Sequence, residues 1–310
     1  MNIALYMPTA RRLEWWAQQL SELLPEHRVL AHSDVKQLSE IDIAIVWQPP
    51  DGWLASLPNL KLTVSIGAGI DHIVRDPSYP QNIPVLKTTG PDMIQRMREY
   101  IVLHVLRYHR ELPALQRQQA EQRWKSVVTP VAQQRRVGIM GMGGMGKAAA
   151  NSLAQLGFEV RCWSRHSKSL PNIQSFAGKE QLQDFLEGTE ILVCLLPLTE
   201  ITKGILCSRL FAQLPMGACL VNAARGQHLI EQDLLDALDK GQLSQATLDV
   251  FTTEPLPEAH AFWTHPNILI TPHIASLIDP VSGGKIIAAN IQRFVRGDMP
   301  ADITEAGQGY

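Results

Sequence analysis

Residues 141–146 read Gly-Met-Gly-Gly-Met-Gly, and their position constrains the fold more than any other feature. The strand-like run Arg136–Met140 precedes them. A segment of helical spacing, Gly146–Leu156, follows and is closed by Gly157. A glycine-rich turn alone says little. Between a strand and a helix it has a mechanism. Gly141 makes the tight turn, Gly143 lets backbone approach a pyrophosphate, and Gly146 allows close helix–strand packing. Gly144 and Met145 complete the loop, whose amides and positive helix end suit phosphate oxygens.

The residue that reads the ribose should lie about 20 positions on, at the end of the next strand. Eighteen positions after Gly146 is Ser164, within Arg161-Cys162-Trp163-Ser164-Arg165-His166-Ser167-Lys168. That stretch holds no acid, and the nearest are Glu159 and Glu180. Arg165 and Lys168 stand where a carboxylate would repel a 2′-phosphate and a guanidinium would pair with it. The pattern favours NADP(H) over NAD(H). The bland alternative is a solvated basic loop, with Ser164 alone on the ribose.

Strand-like and helical segments alternate on both sides of this loop. Before it come Asn2–Met7, the helix Arg11–Leu24, then Ile41–Trp47 and Leu60–Ile66, each strand closed by turn residues. A long helical stretch from about Asp92 to Gln122 is expected to kink near Pro113. After the loop come Phe158–Trp163, Ile191–Leu196, Ala218–Asn222, the helix Glu231–Lys240, Gln245–Phe251, Ile268–Thr271 and the helix Lys285–Val295. Such alternation predicts an α/β fold with parallel, doubly wound sheets. The 310 residues suit about two domains.

The formal net charge of −2 argues against nucleic acid or an anionic membrane as main partner. No apolar run approaches the ~18 residues of a membrane span, and the first residues show no signal-peptide pattern. Cys162, Cys194, Cys207 and Cys219 have no CxxC spacing and read as reduced, buried thiols. The expected location is the cytoplasm. No metal-ligand spacing stands out.

Three polar groups follow later strands. Arg225 lies in Val221-Asn222-Ala223-Ala224-Arg225-Gly226, Glu254 in Leu248-Asp249-Val250-Phe251-Thr252-Thr253-Glu254-Pro255-Leu256, and His273 in Thr271-Pro272-His273-Ile274-Ala275-Ser276. In a parallel sheet they share the carboxyl edge, where ligands bind. Arg225 can grip a carboxylate and a carbonyl. His273 can protonate a ketone oxygen. Glu254 can hold the imidazole and favour its charged form. Taken singly, each has a plain alternative: a surface arginine before glycine, a solvated glutamate before proline, a turn histidine after proline.

Taken together, the order GxGxxG, NxARG, LDVFxxEPLP, TPHxA resembles the D-2-hydroxyacid dehydrogenases over nearly the whole chain. Ser65-Ile66-Gly67-Ala68-Gly69-Ile70-Asp71-His72 matches that family's substrate loop, and Leu196-Pro197-Leu198-Thr199 its cofactor loop. Val46-Trp47-Gln48-Pro49-Pro50, Cys162–Arg165 and the terminal Gly309-Tyr310 resemble a bacterial, NADPH-preferring branch that reduces glyoxylate and hydroxypyruvate. Gly90–Tyr100 departs from the alanine-rich run common in the family, and Met142 and Met145 are unusual in the glycine loop. Formate-oxidising relatives carry Gln where this chain has Glu254.

The resemblance implies two Rossmann-like domains, the cofactor domain (97–279) inserted in a substrate domain formed by 1–96 and 280–310. It implies a catalytic trio of Arg225, Glu254 and His273, with the amides of Ala68 and Gly69, beside Gly67, on the substrate carboxylate. Trp47 is a candidate pocket residue. Gly143, Met145, Ser164, Arg165 and Lys168 would hold the cofactor's phosphates and adenosine end, with Leu196 and Pro197 beside them. Ala223, Arg225, Asp249, His273 and Ala275 would lie near the nicotinamide, Asp249 accepting from its carboxamide. The implied reaction is reduction of a small 2-oxo acid to a D-2-hydroxy acid by a homodimer. Trp124 is a candidate to reach a neighbouring active site. The rival readings are a bulkier 2-oxo acid and a dinucleotide-sensing binding protein.

Overall fold

The computed structural model describes residues 1–305; Gly309 and Tyr310 lie outside the described residues. The chain divides into two compact units, Met1–Met93 with the chain from Leu277 onward, and Ile94–Ser276. Both boundaries fall three residues before the 96/97 and 279/280 divisions expected from sequence.

The elements run β1 (Asn2–Tyr6), α1 (Ala10–Leu23), β2 (Arg28–Ala31), β3 (Ile43–Val46), β4 (Leu62–Ser65), α2 (Asp71–Val74) and β5 (Pro84–Lys87). Then come α3 (Pro91–His109), α4 (Leu112–Ala120), β6 (Arg136–Met140), α5 (Gly144–Gln155), β7 (Glu159–Ser164), β8 (Gln174–Ala177), α6 (Leu182–Leu186) and β9 (Ile191–Cys194). The chain continues through α7 (Ser208–Phe211), β10 (Ala218–Asn222), α8 (Glu231–Asp239), β11 (Leu243–Leu248) and β12 (Ile268–Ile270). It ends with α9 (Pro280–Val295) and β13 (Ile303–Glu305).

Each unit holds one sheet. In the second unit the order is β12-β11-β10-β9-β6-β7-β8, all pairs parallel. Counted from β6, this is the doubly wound order of dinucleotide-binding folds with one added strand, and it reverses between β6 and β9. In the first unit the order is β13-β5-β4-β3-β1-β2, parallel except for the edge strand β13. That is the other common doubly wound order, reversing between β1 and β3.

The apolar runs are continuous because both sheet faces are covered. Along β6, Val137 and Ile139 join one core cluster with Ile101, Val105, Ala149 and Leu153, while Met140 joins another with Phe185, Leu220 and Leu238. β9 splits the same way, with Ile191 and Val193 on one face and Leu192 and Cys194 on the other. Of the four free thiols, Cys162 and Cys194 are buried. Cys207 and Cys219 are only partly buried, which corrects the expectation of four buried thiols. Burial pushes the Cys194 thiol up to about 12 and the Cys219 thiol up to about 11, so neither is a thiolate near neutral pH.

Two elements differ from expectation for identifiable reasons. The long helix is two helices. α3 stops at His109, and Glu111 takes a left-handed conformation with φ 53°. Pro113 then sits in the first turn of α4, where its missing N–H costs nothing. The last helix starts at Pro280 rather than Lys285. Asp279 caps it, accepting from the amides of Val281 (2.9 Å) and Ser282 (3.0 Å). Gly283 and Gly284 continue the helix because α1 lies close: a Cβ on Gly283 would stand 2.8 Å from Trp16, and one on Gly284 2.9 Å from Leu23.

Candidate active site

Strand register lines up the candidate residues of the second unit. Trp163, Met140, Cys194, Asn222, Leu248 and Ile270 form one row across six neighbouring strands near their carboxyl ends. Within a few residues beyond that row come Ser164 and Arg165, the glycine loop, Leu196 and Pro197, Ala223 and Arg225, Asp249, and His273 with Ala275. Sequence reasoning placed Arg225, Glu254 and His273 on this edge, and the register lines up the strand ends that precede them.

The glycine loop has the shape a pyrophosphate needs. Gly141 has φ 104°, and a Cβ there would meet the Leu195 carbonyl oxygen at 2.5 Å. On Gly146 a Cβ would stand 1.9 Å from the Gly141 oxygen, so only glycine lets α5 start this close to the loop. A Cβ on Gly143 would meet nothing within 4 Å, which leaves an open cradle at the start of α5. α5 begins at Gly144, two residues before the expected Gly146, and has no acid in its first turn. The donor set and the open cradle fit a dinucleotide phosphate.

Beside the loop, the Gly141 amide bonds the Trp163 carbonyl at 2.9 Å. Arg165 is exposed just past the end of β7, and Lys168 is half-buried. Ser164 donates to the His166 carbonyl at 2.7 Å, which shapes this basic turn. Glu159 starts β7, at the opposite sheet edge, where the Nε of Arg136 bonds both its oxygens at 3.0 Å. Glu180 lies beyond β8, one strand further out.

Arg225 stands on a braced turn. Asn222 is fully buried, donates to the Arg225 carbonyl at 3.1 Å and accepts from the Ala224 amide at 3.2 Å. His228 is also fully buried. Its Nε2 lies 3.2 Å from the Pro197 carbonyl, so it donates there, and its Nδ1 accepts from the Arg225 amide at 3.2 Å. Nδ1 also lies 3.2 Å from the Arg225 carbonyl, and the ring ties the arginine turn to the cofactor loop. Gly226 packs on the next loop: a Cβ there would stand 1.9 Å from the Phe251 carbonyl carbon. Sequence reasoning missed His228, because a lone histidine before an apolar residue carries no motif.

The acid–histidine pair is formed. His273 Nδ1 lies 2.7 Å from Glu254 Oε2, and Glu254 Oε1 accepts from the Phe251 amide at 2.9 Å. Burial works to raise the Glu254 carboxyl. The hydrogen bond and charge of His273, the Phe251 amide and the charge of Arg225 outweigh it, so the carboxyl lies below its ordinary value. An acid lowered by folding stabilises the fold above its unfolded value and loses that contribution as pH falls through the folded one. Wild type should therefore exceed Glu254→Gln in stability by about 1–3 kcal/mol at neutral pH. The gap should hold down to about pH 4.5, the ordinary value, and close below it. Denaturant unfolding of both proteins from pH 7 to pH 3 checks this; a gap indifferent to pH would refute it.

His273 itself has φ 53°, and its amide bonds the Asp249 carbonyl at 2.8 Å. The buried Asp249 carboxylate accepts from Thr271 Oγ1 (2.6 Å), the Ile274 amide (2.9 Å) and the Ala275 amide (2.8 Å). Burial nevertheless raises its carboxyl above the ordinary value. Three donors from its own chain make Asp249 a brace of the histidine loop, a role sequence reasoning did not assign.

In the first unit the loop after β4 is held from inside. Ser65 Oγ donates to the Gly69 carbonyl at 2.7 Å and lies 3.1 Å from His72 Nε2. The Gln48 amide donates to Nδ1 of the buried His72 at 3.3 Å. The Trp47 ring packs tilted on the His72 ring, 4.7 Å between centres, and a Cβ on Gly67 would meet Trp47 at 2.8 Å. These contacts shape the loop that presents Ala68 and Gly69. Trp124 is fully exposed. Among the described residues no helix is long and apolar enough to cross a membrane.

Residues 102–275 match the family described as D-isomer specific 2-hydroxyacid dehydrogenase, NAD binding domain. Over its full length the chain is similar to proteins named glyoxylate/hydroxypyruvate reductase A, at 44% identity in Serratia proteamaculans and 41% in Yersinia enterocolitica, with 100% of each chain covered. It is also similar to two solved structures, each with TM-score 0.92 and 100% of this chain and 99% of the other covered. One, at 38% identity, is a D-isomer specific 2-hydroxyacid dehydrogenase from Xanthobacter autotrophicus in complex with NADPH and MES. The other, at 33%, is an NADPH-dependent glyoxylate/hydroxypyruvate reductase from Sinorhizobium meliloti in complex with NADP and sulfate.

Proposed function

This chain belongs to the D-isomer specific 2-hydroxyacid dehydrogenase family, oxidoreductases that use a nicotinamide dinucleotide, and on that premise we propose that it reduces glyoxylate and hydroxypyruvate with NADPH. The observation that carries the reading is the Glu254–His273 pair at 2.7 Å, on the sheet edge that also carries Arg225 and the glycine loop.

Bound NADPH supplies the hydride. The open cradle at Gly143 and the amides of Gly144–Gly146 hold its pyrophosphate. Arg165 and Lys168 hold the 2′-phosphate, with Ser164, Leu196 and Pro197 beside the adenosine half. The amides of Ala68 and Gly69, next to Gly67 and Trp47 in the first unit, are of the kind that a carboxylate accepts from. Arg225 grips the carboxylate and polarises the ketone. Glu254 engages His273 at Nδ1, so the proton reaches the substrate oxygen from Nε2. Ala223, Asp249 and Ala275 line the nicotinamide side. With the hydride that NADPH would supply to the carbonyl carbon and the proton from His273 on its oxygen, the product would be a D-2-hydroxy acid.

The protein acts as a cytoplasmic homodimer. The support for self-association is a run of exposed apolar side chains, Leu112, Leu115, Trp124, Val128 and Val131, in one stretch of chain.

Initial rates of reduced-nicotinamide oxidation test the reading, crossing NADPH and NADH with glyoxylate, hydroxypyruvate, pyruvate and phenylpyruvate. Fast turnover of the two smallest polar acids with NADPH is expected. A preference for phenylpyruvate would replace the substrate; cofactor binding without turnover would replace the enzyme by a sensor. Arg165→Ala should shrink the NADPH-to-NADH ratio of kcat/KM by roughly 10–100-fold, the loss of one charge-assisted contact. An unchanged ratio would mean that the phosphate is read elsewhere.

A further inference from the structure

α3 belongs to none of the motifs, yet one of its side chains reaches the histidine loop. Tyr100 is buried, and its hydroxyl lies 2.7 Å from Thr271 Oγ1. Thr271 Oγ1 in turn lies 2.6 Å from Asp249 Oδ1. The directions follow from the chemistry. Both Asp249 oxygens accept backbone amides, from Ile274 and Ala275, so the group serves as a carboxylate. Thr271 spends its one proton on Asp249 and therefore accepts from Tyr100.

Tyr100 is itself fixed. Tyr108, two helical turns on along the same face, lies 2.5 Å from Thr247 Oγ1 on β11. Between them His104 packs on the Tyr100 ring at 4.3 Å, and burial, with the nearby charge of Arg107, pushes its imidazole down to about 4, so it is a neutral slab. Burial first, then the charge of Asp249, holds the Tyr100 phenol well above its ordinary value, so it keeps its proton to donate.

We propose that Tyr100 and Thr271 are positioning residues for His273, acting through Asp249 as a hydrogen-bonded clamp from α3. The clamp fastens Thr271 on one side of the histidine and Ile274 and Ala275 on the other. His273 sits between them in a left-handed conformation that a non-glycine residue keeps only when its neighbours are held. The catalytic part of this inference rests on His273 as proton donor; the geometric part does not.

The test uses the full chain in four variants: Thr271→Val, Thr271→Ser, Tyr100→Phe and the double Tyr100→Phe/Thr271→Val. Thr271→Val removes the hydroxyl at nearly constant shape. It should lower kcat by about 10–100-fold, as expected for a misplaced acid, with KM for glyoxylate and NADPH affinity within about twofold. Thr271→Ser restores the hydroxyl and should restore kcat. The double variant should be no worse than Thr271→Val, because both changes cut one chain. The second readout is the imidazole proton resonance of His273 Nδ1–H, assigned by its loss in His273→Asn. It should shift or broaden in Thr271→Val and return in Thr271→Ser. An unchanged resonance in Thr271→Val, or an equal kcat loss in Thr271→Ser, overturns the clamp. If wild type reduces none of the acids, the functional reading fails, and the resonance alone decides the clamp.

Discussion

His273→Ala is expected to lower kcat by about 10²–10⁴-fold, the usual range for losing a general acid, with NADPH affinity largely kept. The reasoning starts from the backbone. His273 occupies a left-handed conformation, and its ring is aimed by Glu254 at 2.7 Å. Two other buried histidines, one in each unit, have structural duties. His228 is engaged at each nitrogen by Pro197 and Arg225, and His72 by Ser65 and Gln48. Neither can substitute as proton donor without breaking its loop. Alanine adds backbone strain to the chemical loss, since it tolerates positive φ poorly. His273→Asn separates the two effects, because asparagine accepts that conformation more readily. Both variants should lose turnover within that range, His273→Asn without the added strain, with cofactor affinity measured by NADPH fluorescence titration. Near-normal turnover in either would sink the proton-donor assignment.

What the sequence reveals here depends on how local the cause is. The strands β6 and β10 match the expected Arg136–Met140 and Ala218–Asn222 residue for residue, since strands buried on both faces leave unbroken apolar runs. β2 and β8 were not legible. Arg28–Ala31 ends a sheet and is half-exposed, and Gln174–Ala177 is an outer strand with one buried residue, so neither shows a run or a clean alternation. Gly283 and Gly284 hid the start of α9, because two glycines read as a loop until Trp16 and Leu23 are seen to need the space. The site divides in the same way. Arg225, Glu254 and His273 follow strands in short motifs, and chain order alone suggests them. Tyr100 lies 171 residues from Thr271, on a helix whose sequence departs from the family pattern. Nothing local to Tyr100 distinguishes it from a core tyrosine.

The absence of an acid after β7 illustrates the gap between composition and placement. Glu159 is the acid nearest Ser164 in sequence, five residues before it. The strand carries it to the opposite edge, where Arg136 holds it. The same strand delivers Arg165 to the edge of the glycine loop. One strand of six residues thus separates the two charges, and the cofactor edge is left basic.

Arg225→Ala should damage substrate affinity and rate together, with kcat/KM falling by roughly 10³-fold. About 10²-fold of that is a lost charge-assisted contact to the substrate carboxylate, and the rest is lost polarisation of the ketone oxygen. The turn itself should survive: the guanidinium donates to the Ala224 carbonyl at 2.7 Å, but Asn222 and His228 hold the backbone of the turn. Arg225→Lys should recover only part of the loss, since a point charge cannot bond two acceptors in the geometry of a fork. A second effect separates this role from simple substrate capture. The charge of Arg225 helps hold the Glu254 carboxyl low. Its removal should raise the pH at which the Glu254–His273 pair breaks, and the lysine variant should keep that pH low. Steady-state kinetics across pH with glyoxylate and NADPH read both effects. An unchanged KM and kcat in Arg225→Ala would take the arginine out of the site, whereas lost affinity with an unmoved acid limb would keep it on the substrate and detach it from the acid–histidine pair.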